Sequence, residues 1–182
     1  HALMRRLLIK ALNRKLVEDQ RPFVRQRISE LLDTASARPQ IEFHEGVARM
    51  LPGAVILKLL GMSQDYLPRL KGWADGVTAA LTSFNPKHEW LDGLERVVTD
   101  MIGVFSGEVE QRKHAPGADL ITTLLQASEG GDRLTDEDVL GTLILVIVAG
   151  HDTTTNTLTL GARAMARNPP AWTYWRDHPE KQ

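Results

Sequence analysis

The segment between Thr135 and Arg167 constrains the fold more than any other part of the chain. Thr135, followed three residues later by Asp138, predicts an N-terminal capping box, and Asn168-Pro-Pro170 predicts the end of the same helix. A helix of about 33 residues is about 50 Å long at 1.5 Å per residue. Its first half is apolar on nearly all sides, so we expect it to be buried on most of them. The rest of the chain must therefore supply elements that pack around one long helix.

Helical periodicity also dominates the remaining sequence. Ile41-Glu-Phe43 alternates like a short strand, and Gly130-Gly131 predicts a turn. The pattern therefore predicts an all-α segment with minor β elements. Helices are expected at residues 1–16, 20–35, 54–60, 63–81, 88–113 and 118–128.

Composition excludes several classes of protein. A length of 182 residues suits one domain or part of a larger one, and a net charge of −1 argues against a general nucleic-acid binder. The chain has no Cys, which excludes a disulfide framework, a Cys nucleophile and a thiolate metal ligand. The apolar run at 139–149 is too short to span a bilayer, and no signal peptide is visible, so we expect a cytoplasmic protein without a membrane span.

The most unusual segment is Ala149-Gly-His-Asp-Thr-Thr-Thr155, where the apolar helix becomes polar. Thr153 can donate back to the carbonyl of Ala149, and with Gly150 this predicts a local gap wide enough for a small molecule. Asp152 beside Thr153 supplies an acid and a hydroxyl, a pairing suited to relayed proton delivery. Alternatively, these threonines line a packed or hydrated helix interface.

This Ala-Gly-x-Asp-Thr-Thr motif resembles the distal helix of the cytochrome P450 monooxygenases. The resemblance implies that Ala149 and Gly150 lie against the haem, where dioxygen binds. It implies that Asp152 and Thr153 guide protons to the bound oxygen. His151, at the variable position, is expected to point into neighbouring helices. Candidates for the substrate-pocket wall, equally well explained as ordinary core, are Leu145, Val146 and Val148.

A second match is the His-x-x-x-Arg pattern of His1 and Arg5, which lie on one helical face at i, i+4. In the family this pair binds the haem propionates; the alternative is a solvated helix face. Segments resembling bacterial members follow, so the chain is interpreted as an incomplete cytochrome P450 domain over residues 1–182. These segments lie at 5–12, 31–33, 54–61 and 164–169.

The chain departs from the family pattern because the axial Cys thiolate is missing, as is the family's later Glu-x-x-Arg pair. Without the thiolate, haem iron has no matching protein ligand among these residues. We therefore expect this stretch alone to be inactive and to be part of a longer protein. The implied reaction inserts one oxygen atom from O2 into a small organic substrate, with electrons from NAD(P)H delivered by a redox partner.

Basic charge is concentrated at the start of the chain. Residues 1–27 carry a net charge of +6 and the remainder −7. In the family this end lies near the surface where small acidic carriers dock, so Lys10, Arg14 and Lys15 are candidates for steering a ferredoxin-type partner. A solvated basic face is the alternative. The segment Thr82-Ser-Phe-Asn-Pro86 is a candidate substrate-access lid.

Two other classes of function are compatible with parts of the sequence. His151-Asp152, together with His114 and Asp177, could hold a divalent metal in a His-Asp phosphohydrolase. Composition and periodicity also permit a non-catalytic helical module that binds ligands. Bound metal with phosphatase activity would support the first, and a parent protein without haem would support the second.

Overall fold

The computed structural model describes residues 2–37, 39–82, 88–129 and 131–181, and these residues are almost entirely helical. Two short elements lie between α-helices: a π-helical turn at His44–Ala48 and a 3₁₀ turn at Gln64–Tyr66. A further 3₁₀ turn, Pro179–Lys181, is the last element of the described residues. The described α-helices and strands are α1 (Ala2–Ala11), α2 (Arg14–Glu18), α3 (Arg21–Ser36), α4 (Met50–Leu60), α5 (Leu67–Thr82), α6 (His88–His114), α7 (Leu120–Gln126), β1 (Ser128–Glu129), β2 (Asp132–Arg133), α8 (Asp136–Arg167) and α9 (Pro169–Asp177).

Helix α8 is the centre of the fold, as the sequence predicts. Its N-terminus is a capping box in which the Thr135 hydroxyl accepts from the backbone N–H of Asp138 and the Asp138 carboxylate accepts from the backbone N–H of Thr135. Its end at Arg167 precedes Asn168, which caps α9. Helices α4, α5, α6 and α7 all pack on α8. The all-α fold class is therefore confirmed.

The core lies between α8 and the helices that cover one side of it. Trp73 of α5 and Phe105 of α6 meet edge to face, with ring centroids 5.4 Å apart, an arrangement that aromatic rings favour. Leu57, Leu143 and Ile147 are fully buried beside them. Apolar burial of this kind is the main force holding the helices together.

Two expectations about secondary structure are wrong. Ile41-Glu-Phe43 is not a strand, because Phe43 leads directly into the π-helical turn His44–Ala48. The minor β structure is instead an antiparallel pairing of Ser128–Glu129 with Asp132–Arg133. The predicted helix over residues 1–16 is interrupted after Ala11, since Asn13 accepts from the backbone N–H of Leu16 and starts α2.

The first half of α8 is buried or half-buried on most sides, as expected, but one stripe of the helix is exposed. Leu145 is 52% exposed and Ala149 is exposed one turn later. The described helices pack on the opposite side, which carries Leu143 and Ile147. Helix α8 therefore has one buried face and one face that the described residues leave open.

Candidate functional site

Thr153 and Ala149 lie on the open face of α8. The Thr153 hydroxyl donates to the backbone carbonyl of Ala149 at 2.5 Å, as the sequence predicts. This bond turns the hydroxyl along the helix, so the methyl groups of Ala149 and Thr153 make a low, mostly apolar surface. Leu145, one turn earlier, extends the stripe. The stripe is therefore an exposed, largely apolar surface of α8.

Gly150 lies close to helix α4. A Cβ atom added at Gly150 would lie 3.3 Å from Cδ1 of Ile56, on α4. That distance is tighter than ordinary carbon contacts, so glycine permits the close packing of α8 on α4. The sequence interpretation, which put Gly150 with Ala149 against a cofactor, did not foresee this packing contact.

Asp152 points toward α5. Its side chain is 25% exposed, and one carboxylate oxygen accepts from the hydroxyl of Thr78. Burial alone would raise the pKa of Asp152, but hydrogen bonds from Thr78 and His151 and the nearby charge of Arg49 outweigh it. The pKa of this carboxyl is therefore held below its ordinary value.

The His151 ring is buried, with a side chain only 1% exposed, and points into the neighbouring elements as expected. Its Nδ1 atom lies 3.0 Å from Oδ1 of Asp152, and its Nε2 atom lies 3.2 Å from the backbone carbonyl oxygen of Arg49. Arg49 directly precedes α4. His151 therefore ties Asp152 and α8 to the start of α4.

The structure does not join Asp152 and Thr153 by a direct hydrogen bond between their described side chains. Successive residues are about 100° apart around an α-helix, so the two groups leave the helix in different directions. Asp152 binds Thr78 and His151, whereas Thr153 binds Ala149. A proton passing between them needs an intermediate group.

The predicted residues of α1 are only partly described. His1 lies outside the described residues. Arg5 is exposed, while Leu7 and Ala11 are buried and help pack α1 against α7 and α8. This placement leaves the guanidinium of Arg5 available to a carboxylate.

The predicted docking cations are all exposed. Lys10 lies in the last turn of α1, and Arg14 and Lys15 lie on α2 after the helix break. Lys15 forms an ion pair with Asp19, with Nζ and Oδ2 2.6 Å apart. Part of its charge is thus neutralised on its own helix.

The substrate-facing candidates differ in exposure. Val146 and Val148 are half-buried, and Val146 packs against the core, unlike the exposed Leu145. Of the candidate lid, only Thr82 is described; its hydroxyl donates to the Thr78 carbonyl at 2.9 Å, and residues 83–86 lie outside the described residues.

The residues of the metal phosphohydrolase alternative are not assembled. Nε2 of His151 is engaged with a backbone carbonyl, and His114 pairs with Glu110 on the surface of α6. In the part of the chain that the structure describes, no group of three or more His, Asp or Glu side chains is placed to hold a metal ion.

Comparison with known proteins identifies the family. A sequence model of cytochrome P450 matches residues 2–172. The chain belongs to the cytochrome P450 family. P450 members use haem iron and receive electrons through a redox partner, so the family and cofactor predictions are confirmed at that level.

Several P450 relatives resemble nearly the whole chain. Cytochrome P450 CYP107DY1 of Priestia megaterium is 30% identical, over 98% of this chain and 43% of that protein. A steroid C26-monooxygenase of Mycolicibacterium smegmatis is 28% identical, over 99% and 42% respectively. The crystal structure of P450BioI with hexadec-9Z-enoic acid ligated acyl carrier protein has a TM-score of 0.90 and 25% identity, over 99% of this chain and 46% of that one. The chain thus spans less than half the length of these P450s.

Two residues that contact the candidate site were missed by sequence reasoning. Thr78 and Arg49 contact the Asp152–His151 pair from positions 74 and 102 residues away in sequence. Neither belongs to a recognisable motif.

Among the helices of the described residues, none combines the length and apolarity needed to cross a bilayer.

Proposed function

We propose that this chain forms the distal side of a haem-dependent monooxygenase that inserts one oxygen atom from O2 into a small organic substrate. The observation that carries the proposal is the turn of α8 with Ala149 and Thr153 on its open face and Asp152 in polar contacts behind them. Membership of the P450 family supplies the reaction class.

The residues present fit the distal face of a haem. The stripe of Leu145, Ala149 and Thr153 is exposed and largely apolar, which suits contact with a porphyrin plane. The exposed Arg5, with His1, would bind propionates through charge-assisted hydrogen bonds. The bound haem supplies the oxygen-activating chemistry.

Thr153 and Asp152 have separate tasks in this proposal. The Thr153 hydroxyl, held on the Ala149 carbonyl, keeps a hydrogen-bonding group at the open face of α8. Asp152 is an ionised acid that can accept a proton on the α5 side and release it toward that face. Because the two are not directly bonded, we assign water as the link between them.

The axial ligand is not among these 182 residues, because the sequence has no Cys. We therefore propose that residues 1–182 alone are inactive and form an incomplete P450 domain. Electrons from NAD(P)H would reach the complete protein through a ferredoxin-type carrier near Lys10, Arg14 and Lys15. We further propose a cytoplasmic location.

The absorption spectrum of the complete protein, reduced and exposed to carbon monoxide, tests the proposed function. We expect a strongly red-shifted Soret band of the thiolate type, and no such band for residues 1–182 alone. A complete protein that binds no haem would contradict the proposal and favour the non-catalytic helical module.

Replacing Thr153 by Ala in the complete protein should uncouple electron use from product formation. We expect severalfold less product per NAD(P)H consumed and a matching rise in hydrogen peroxide, because the hydroxyl at the open face is lost. Product, peroxide and NAD(P)H consumption are measured together. Thr157→Ala is the matched control, since Thr157 also donates to the carbonyl four residues earlier, at 2.8 Å, but lies one turn away. Unchanged coupling in Thr153→Ala would remove this residue from the mechanism.

A further inference from the structure

The His151 ring lies between the Asp152 carboxyl and the Arg49 carbonyl. When Asp152 is ionised, neither of these groups can donate a hydrogen bond to the ring, and both can only accept one. Nδ1 is 3.0 Å from the Asp152 carboxylate and Nε2 is 3.2 Å from the Arg49 carbonyl. A neutral imidazole has one N–H donor and one acceptor nitrogen, so it satisfies only one of these contacts. A ring with hydrogen on both nitrogens satisfies both. Because the ring is buried, an unsatisfied contact here would be costly.

The surroundings favour placing the extra hydrogen on the ring instead of on Asp152. The second hydrogen bond to the carboxylate, from Thr78, favours the ionised acid, as does the charge of Arg49. The Arg49 guanidinium also forms ion pairs with two other carboxylates, Glu45 at 3.4 Å and Asp75 at 2.5 Å, so its charge does not act on Asp152 alone. Lys71 of α5 then pairs with Glu45 at 2.5 Å. The carboxylate of Asp152 is thus the acceptor that faces the ring at hydrogen-bonding distance.

The ring also borders a route to solvent. A cavity of about 500 Å³ opens beside it, between the start of α4 and the start of α5. Arg49, Met50, Leu67 and Lys71 contribute to its walls, and His151 also lines it. This cavity is the side from which we expect solvent to reach the ring.

We propose that His151 is a positioning residue that holds the Asp152 carboxylate in place and stores the proton that Asp152 delivers. In the transfer, the Nδ1–H bond of His151 breaks and an O–H bond forms on Oδ1 of Asp152. The ring becomes neutral and keeps its Nε2–H bond to the Arg49 carbonyl, so it need not move. Solvent then returns one proton to Nδ1. This inference rests on the proposed function, which says where Asp152 delivers the proton. Whether both nitrogens of the His151 ring carry hydrogen can be measured independently of that function.

Nitrogen-15 NMR of histidine-labelled complete protein tests the inference, with haem in its diamagnetic reduced, carbon monoxide-bound form. At pH 7 we expect both ring nitrogens of His151 to show shifts of the hydrogen-bearing type; the signals are assigned by their loss in His151→Gln. In Asp152→Asn, the new amide can donate to Nδ1, so only Nε2 should keep its hydrogen. His114, exposed and paired with Glu110, is the control whose signals should not change.

Each outcome distinguishes the inference from the proposed function. A wild-type ring without hydrogen on Nδ1, or signals unchanged in Asp152→Asn, would overturn the role of His151 even in a protein with the thiolate-type spectrum. A protein without haem would overturn the proposed function, and the same nitrogen measurement on that protein would still decide the state of the ring.

Discussion

Replacing Asp119 by Ala in the complete protein should lower the free energy of unfolding by about 3 kcal/mol. Asp119 is buried, accepts from Nε of Arg112 at 3.1 Å, and caps α7 by accepting from the backbone N–H of Thr122 at 2.8 Å. Burial lowers the pKa of Arg112, yet its hydrogen bonds and charge interactions with Asp119 and Glu108 raise it above the ordinary value. Removing Asp119 therefore leaves a buried guanidinium with one acidic partner instead of two.

Urea unfolding followed by circular dichroism measures this loss, and we expect a lower midpoint at an unchanged slope. Asp119→Asn keeps an acceptor for the helix cap but removes the charge, so it should lose most of the same stability. Asp136→Ala is the surface control, because Asp136 and Lys113 form an exposed pair between α6 and α8. Equal losses in Asp119→Ala and Asp136→Ala would contradict the assigned importance of the buried pair.

The same network includes Gly61, the residue that follows α4. Gly61 has φ 70° at the end of α4, a left-handed conformation that glycine adopts without strain. A Cβ atom there would overlap the Asp119 carboxyl, and the Gly61 carbonyl accepts from Arg112 at 2.5 Å. The local preference of glycine explains the turn, whereas the contact with Asp119 joins residues 58 positions apart.

Local signals were the reliable part of the sequence analysis. The capping box at Thr135 and the bond from Thr153 to Ala149 each join residues within one helical turn, and both are present. The expected strand at Ile41–Phe43 is wrong because three alternating residues carry too little periodicity to exclude a helical turn. Burial on most sides of the first half of α8 is present, but the exposed stripe through Leu145 and Ala149 was not predicted, because apolar composition does not reveal which side other helices cover.

The candidate site shows the same difference between local signals and contacts from distant parts of the chain. Its motif residues could be named from sequence because they are consecutive on α8. The groups that set the state of Asp152 could not, because Thr78 and Arg49 reach it from α5 and from the residue before α4. A helix periodicity states which residues share a face, but it does not state what that face contacts.

Asp152→Asn in the complete protein should lower the turnover rate by about 100-fold, the lower end of what a positioned acid–base group contributes. An amide fits the same space and can accept from the Thr78 hydroxyl, so the fold should be kept, but it cannot take up and release a proton. Since the pKa of Asp152 is held below its ordinary value, the carboxyl is ionised throughout the neutral range, and the defect should be the same at pH 6 and pH 8.

Asp100→Asn is the matched control for this rate measurement. Asp100 also accepts two side-chain hydrogen bonds, from Arg69 and from Trp73 at 2.7 Å, and its pKa is likewise lowered, chiefly by those bonds. It lies on α6, outside the acid–hydroxyl site, so its amide variant should keep turnover within about twofold of the wild type. If Asp152→Asn turned over as fast as Asp100→Asn, the proton would have to enter by a route that avoids α5, and Thr153 would be left as the proton-guiding side chain of this helix.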